Sequence, residues 1–309
     1  MGLKNSIVSL FLLVFLSCFA LYAQEPQQKP TIAASTFSLY DIAKNIAGES
    51  AQTFMILPFG VDAHSYEPTP KQVAKIAQSD LVLYSGAGLE PWIKGFSFQK
   101  KAVNISSFVH LRELSAKHEN HGDVHKHGHN HEGNSIDPHY WQDPLNMILA
   151  AEQIAKELIA LFPKNRALYE KNRDAYVAML QSLDTAYKTA LKECKLDTII
   201  VNHNAFSYLS QRYGFHTEPL SGLSPEAQPN AKNMIKLIKF IKEHKVEVIF
   251  FEKFASEKAI NSIAKEANVA VDVLQPLGNI TADEAKAGLS YDAIMRTNLN
   301  KISKALQCR

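Results

Sequence analysis

Between Pro163 and Glu193 the chain runs 31 residues with no glycine and no second proline. Tyr176, Leu180, Leu183, Tyr187 and Leu191 recur in it at spacings of three and four, the period of one buried helical face. Asp184 and Lys188 stand one turn apart and can pair on the exposed side. The spacing predicts a helix over 163–193, about 46 Å long at 1.5 Å per residue. Taken alone, it is either an ordinary long helix within one domain or a stiff strut that limits motion between two.

Strand and helix patterns alternate on both sides of it. Upstream, Thr31–Ser35 reads as a strand and Leu39–Ala47 as a helix stopped by Gly48. Phe54–Leu57 is a short apolar run ended by Pro58, and Lys71–Gln78 a helix behind Pro70. Leu81–Tyr84 and Ala102–Ser106 are further strands, and Leu145–Leu161 is helical. Downstream, strands at Thr198–Asn202, His216–Leu220, Val246–Glu252 and Val269–Leu274 alternate with helices at Ala205–Tyr213, Asn230–His244 and Glu257–Ala267. Asp283–Leu306 is mostly helix. The alternation predicts an α/β protein of two lobes, 24–143 and 194–309, each a parallel sheet flanked by helices, with a helical connection over 144–193. Hydrophobic residues at 46% against 21% charged agree with a globular chain.

The N-terminus sets the compartment. Lys4 precedes an apolar run, Ile7–Ala20, too short to span a bilayer comfortably, and Ala23 offers a small residue for cleavage. Residues 1–23 therefore read as a cleavable signal peptide and the protein as periplasmic. Lipid anchoring at Cys18 is the competing reading, but Phe15-Leu16-Ser17 fits a lipobox poorly. Without residues 1–23 there are 32 basic and 31 acidic groups, a balance that gives no reason to expect nucleic acid or an anionic membrane as partner. Two cysteines then remain, Cys194 and Cys308. They are either a disulfide closing a long loop or two free thiols, and the sequence leaves both open.

Histidines carry the chemical signal. Residues 118–131 read HENHGDVHKHGHNH, six histidines in fourteen positions. The segment has no hydrophobic period and is a metal-binding composition. Three other histidines fall in loops after predicted strands: His64 in Gly60-Val-Asp-Ala-His64, His139 in Asp137-Pro-His-Tyr-Trp-Gln-Asp-Pro144, and His203 directly behind Thr198–Asn202. Ligands of open α/β sheets sit outside the carboxyl ends of strands, so these three imidazoles can converge on a metal between the lobes. Asp62, Asp137 and Asp143 are candidate acceptors behind the rings. His110, His216 and His244 read as ordinary polar residues.

Gly60-Val-Asp-Ala-His-Ser-Tyr-Glu-Pro-Thr-Pro70, Leu81-Val-Leu-Tyr-Ser-Gly-Ala-Gly-Leu-Glu-Pro-Trp92, the Asp137–Pro144 segment and Val201-Asn-His-Asn-Ala-Phe206 resemble, in order, the signature segments of the periplasmic metal-binding proteins of zinc and manganese ABC importers. The resemblance runs from Thr31 to Leu306. It implies two α/β lobes bridged by a long rigid helix and a metal held by His64, His139 and His203. It further implies a monomeric receptor, not an enzyme, that delivers its ion to a membrane permease. Manganese members resemble this chain but carry Glu at the position of His203. A third imidazole, with the His-rich segment, favours Zn(II) as the bound transport substrate. In the place of a frequent fourth, acidic ligand stands Gln275, a poor zinc donor, so water is expected to complete the tetrahedron. Asp272 is left uncommitted, and Ser224–Pro229 is less acidic than its family counterpart.

Other classes fit parts of the pattern. Another divalent ion, manganese included, would keep the receptor role. Three histidines and a water also make a hydrolase site, for which Glu67 or Glu252 would have to serve as base. A storage protein would bind many ions through the His-rich segment alone. In the receptor reading that segment is a weaker collector, since flexible donors lose more entropy on binding.

Overall fold

A run of four strands, Thr31–Ala34 (β1), Gln52–Met55 (β2), Leu81–Tyr84 (β3) and Lys101–Asn104 (β4), forms a parallel sheet in the order β2-β1-β3-β4. The computed structural model describes residues 29–114, 135–220, 231–252 and 257–309. The signal-peptide segment 1–23, the His-rich segment 118–131 and Ser224–Pro229 lie outside these. Thr31–Arg309 is one compact unit; of the unit before it, Met1–Pro30, only Lys29 and Pro30 are described. Ile32, Ala33 and Ala34 of β1 and Leu81, Val82 and Leu83 of β3 are all buried, the continuous apolar signature of parallel strands covered on both faces.

Helix α1 (Phe37–Ala47) follows β1 and α2 (Pro70–Gln78) follows β2. Pro70 opens α2 because its missing N–H costs nothing at a first helical position. Thr69 and Gln72 close a reciprocal cap in front of it. Beyond β4 lies a two-stranded antiparallel ribbon, β5 (Arg112–Leu114) and β6 (Ser135–Asp137), which the sequence pattern does not announce. Its two strands flank the segment that contains residues 118–131.

The second sheet contains β7 (Thr198–Val201), β8 (His216–Pro219), β9 (Val248–Phe251) and β10 (Ala270–Val273), ordered β10-β9-β7-β8 and parallel throughout. Read from its other edge this is β8-β7-β9-β10, so both lobes share one topology. Helices α5 (Ser207–Tyr213), α6 (Ala231–Glu243) and α7 (Glu257–Ala267) connect its strands, and α8 (Ala282–Lys286) and α9 (Tyr291–Ala305) end the chain. Alternation along β7 divides its side chains: Ile199 and Val201 join the core shared with the first lobe, while Ile200 joins a smaller cluster with Leu237, Ile241, Ile249 and Ile263.

Between the sheets run α3 (Pro144–Leu161) and α4 (Arg166–Ala190). The helix predicted over 163–193 is shorter than expected. Pro163–Asn165 makes a 3₁₀ turn and the α-helix has 25 residues, about 38 Å. Nor does it stand alone as a strut. Tyr176 Oη donates to Asp41 of α1 at 2.8 Å, Tyr187 Oη to the Met295 carbonyl of α9 at 2.7 Å, and Tyr213 Oη of α5 to Asp184 at 3.1 Å. Asp184 does pair with Lys188, at 2.7 Å, but from a buried position. One apolar core therefore runs from the first sheet through α3 and α4 to the inner face of the second.

Cys194 and Cys308 are disulfide-bonded, which settles that alternative. The bridge joins the start of the second lobe to the end of α9, and backbone bonds Leu196 N–H to Leu306 C=O and Arg309 N–H to Glu193 C=O flank it, both 3.0 Å. Closing a loop of 114 residues removes unfolded-chain entropy. The double variant C194S/C308S is expected to lose about 2–5 kcal/mol of unfolding free energy with metal binding retained. An unchanged denaturation midpoint would show that the bridge contributes nothing.

Candidate metal centre

His64 sits in the loop between β2 and α2. Gly60, at φ 79°, lets that loop turn back, and its N–H donates to the Ile280 carbonyl of the second lobe at 3.0 Å. Asn279 Nδ2 donates to the Pro58 and Val61 carbonyls, both at 2.7 Å, and the His64 N–H donates to Asp62 Oδ1 at 3.3 Å. His139 follows β6, so it is set by the ribbon and not by the parallel sheet. Directly after it, Trp141 Nε1 and Gln142 Nε2 donate to the Pro276 carbonyl at 2.7 and 2.6 Å. His203 follows β7. Segment Pro276–Ile280 of the second lobe thus ties down the surroundings of two histidines on the first.

The three rings converge. His139 Nε2 lies 3.4 Å from His64 Nε2 and 3.4 Å from His203 Nε2, and one nitrogen from each ring falls within 4.8 Å of the others. Zinc–nitrogen bonds of 2.0–2.1 Å at tetrahedral angles put two ligand nitrogens about 3.3–3.4 Å apart. The cavity they border has a volume of about 40 Å³, enough for an ion and a water, and apolar walls that include Val61, Leu89 and Trp141.

Two rings are fixed from behind. His139 Nδ1 faces Asp137 Oδ1 at 2.8 Å, and the His139 N–H donates to the same oxygen at 2.9 Å. His203 Nδ1 bonds Glu252 Oε1, at the carboxyl end of β9. An ionised carboxylate only accepts, so each Nδ1 carries the proton and each Nε2 lone pair turns inward. Burial alone would raise the Asp137 carboxyl, but its bonds from His139 outweigh this and hold it below the usual range. Burial alone would lower His203, and the Glu252 charge outweighs it, so His203 sits above an ordinary imidazole. At His64 burial and the neighbouring rings act together and push it down to about 3, which leaves that ring neutral.

The other sequence candidates lie elsewhere. Asp143 caps α3 by accepting from the Leu145 N–H at 2.9 Å and pairs with Arg212, so it does not stand behind a ring. Gln275 is buried and turned away: its Nε2 donates to Glu284 at 3.0 Å and its Oε1 accepts from the Leu277 N–H at 3.3 Å. Asp272 pairs with Lys301 at 2.7 Å on the outside. Glu67 is exposed and does not line the cavity. Glu252, considered only as a hydrolase base, is instead the partner of His203. Its signal in the sequence is its place at the end of an apolar strand. Of the remaining histidines, His110 bonds Asn146 through its backbone, His216 lies near Glu218, and His244 stacks on Phe240.

Known proteins resemble this chain over most of its length. The family model described as ZnuA, zinc-uptake complex component A, periplasmic, matches residues 32–305. The zinc-binding lipoprotein AdcA of Streptococcus pneumoniae is 34% identical over 303 residues, covering 96% of this chain but 60% of its own length. The chain thus spans about 60% of that relative. The high-affinity zinc uptake system protein ZnuA of Bacillus subtilis is 32% identical, covering 92% of this chain and 90% of its own. Among solved structures, the Zn(II)-bound ZnuA-like domain of Streptococcus pneumoniae AdcA superposes with a TM-score of 0.73 at 32% identity, covering 90% of this chain and 99% of that domain. The metal-dependent lipoprotein YcdH of Bacillus subtilis gives 0.75 at 31% identity, with the same coverage. With a family match across both sheets and the long helices between them, the chain belongs to the ZnuA family of zinc-uptake components.

Proposed function

We propose that the chain is an extracytoplasmic zinc receptor, which captures Zn(II) between its lobes through His64, His139 and His203 and hands it to the permease of an ABC importer. The observation that carries this is the convergence of three imidazole nitrogens within 4.8 Å of one another, with His139 Nε2 at 3.4 Å from each of the other two and two of the rings backed by buried carboxylates. Water from the small cavity completes the tetrahedron, since Gln275 points elsewhere. Imidazole nitrogens suit zinc, whereas manganese favours oxygen donors, and no carboxylate joins the trio among the described residues. A hydrolase reading loses its base, because Glu252 is engaged with His203 and Glu67 is remote. The receptor acts as a monomer.

Titration calorimetry tests the ligand set. The triple variant H64A/H139A/H203A is expected to lose tight stoichiometric zinc binding, and deletion of residues 118–131 to leave it intact. Tight binding that survives the triple substitution would refute the site. The acid dependence follows from the imidazole environments. Zinc needs unprotonated nitrogens. His203 is held above its ordinary 6.5 by Glu252, which strengthens proton competition at that ring, whereas His64 stays neutral down to about 3. Affinity is therefore expected to weaken steadily as pH falls from 7.5 to 5.5. A dissociation constant that does not change over that interval contradicts three-histidine ligation.

The family description is periplasmic, and named relatives are lipoproteins. These relatives weigh against free release after Ala23 and toward an anchor at Cys18, despite its poor lipobox. Metabolic labelling with a radiolabelled fatty acid is expected to mark the wild type and not C18S. Unlabelled wild type would return the reading to simple cleavage.

A further inference from the structure

The carboxylate behind His139 is not held by its own lobe alone. Asp137 is fully buried, with Oδ1 taken by the ring and N–H of His139. Its second oxygen, Oδ2, accepts from Ser207 Oγ, in the first turn of α5 on the second lobe. Without that hydroxyl, the oxygen would lose this bond in a site with little room for replacement by solvent. Ser207 lies four residues beyond His203. One short segment of the second lobe therefore supplies one ring directly and the donor behind the other ring's acceptor.

The ribbon reinforces this contact. Arg112 and Asp137 are register partners at the end of β5 and β6. The Arg112 guanidinium donates to the Ser207 carbonyl and lies 5.6 Å from the centre of the Tyr208 ring. Tyr208 Oη accepts from the Arg112 N–H and donates to the Asp137 carbonyl, each at 2.8 Å. Both ribbon strands thus close on the first turn of α5. The two rings differ in this respect. Glu252 follows β9 in the same sheet as His203 and travels with it, whereas the brace on Asp137 crosses from one lobe to the other.

We propose that Ser207 is a positioning residue for metal capture, orienting His139 across the lobe boundary through Asp137. Any displacement that carries His203 away from the metal also removes Ser207 from Asp137, so the two rings let go together. The inference rests on His139 being a ligand. Loss of a group behind a metal-bound histidine typically costs 10–100-fold in affinity.

The test uses the full-length protein without its signal segment, as S207A, S207T and H139A, with zinc affinity from chelator competition, release rate by stopped flow, and the visible spectrum of the Co(II) form. S207A is expected to bind zinc about 10-fold or more weakly, chiefly through faster release, and to shift the Co(II) bands, with S207T restoring both. Y208F, which removes the hydroxyl between Arg112 and the Asp137 carbonyl, is expected to speed release in the same direction, and serves if S207A does not fold. Affinity and release within twofold of wild type in S207A, with tight binding lost in H139A, overturn the role of Ser207 and leave His139 a ligand. Wild-type binding by H139A overturns the ligand assignment itself. Weakening in S207A that S207T fails to restore, with unaltered Co(II) bands, assigns the effect to packing and also overturns the proposal.

Discussion

Three neutral imidazoles can share one cation only if each presents a lone pair inward, and a free imidazole has no reason to choose which nitrogen does so. In this chain the choice is made by the buried carboxylates Asp137 and Glu252, which take the Nδ1 protons of His139 and His203. Two negative charges close behind the rings also offset the cost of bringing a divalent cation into an apolar cavity. Displacing either acid would remove the bond that fixes which nitrogen of its ring faces inward. Much of the surrounding architecture is occupied with preventing that: Asp137 is clamped by the ribbon and α5, and Glu252 is fixed at the end of a buried strand.

The lobes are not independent bodies on a rod. Their cores are continuous through α3 and α4, and tyrosines 176, 187 and 213 bond the long helix to α1, α9 and α5. Segment Pro276–Ile280 crosses the boundary a second time, holding Trp141, Gln142 and the Pro58–Val61 turn through backbone carbonyls and Asn279.

What the sequence makes legible follows from local causes. The parallel strands show as apolar runs, α2 is marked by Thr69-Pro70, and the three histidines stand out because each sits in a loop downstream of an apolar run, His203 directly behind one. Long-range pairing is where legibility stops. Glu252 reads as any acid at the end of a strand; that it meets His203, 49 positions away, depends on β7 and β9 being neighbours, which the crossovers decide. Asp143 stands in the same short segment as His139, four residues on where Asp137 is two residues before, but its carboxylate is used on the first turn of α3 and on Arg212. The ribbon is too short for period-two alternation to register. The long helix loses its ends to Pro163 and to the disulfide at Cys194, neither of which interrupts the apolar spacing.

The shared topology of the two sheets makes their unequal use informative. In the order 2-1-3-4 the connections reverse direction between the first and third strands, and the crevice there is where open α/β sheets bind ligands. The second lobe follows the rule: His203 comes after β7 and Glu252 after β9. In the first lobe the same crevice is closed by its own carboxylate. Glu90 accepts from Ser35 Oγ at 2.5 Å and from the N–H groups of Ser85 and Gly86 at 2.7 and 2.9 Å, at the ends of β1 and β3. Burial raises this carboxyl despite those bonds, so it is spent on the protein and not offered to a cation. The first lobe must therefore present its rings from outside the crevice, His64 from the loop after an edge strand and His139 from an appended ribbon. Such positions lack the rigidity of a sheet end. The second lobe provides it, through Asn279 beneath the His64 loop and Ser207 behind Asp137, so the first lobe's half of the site is held in shape by its partner.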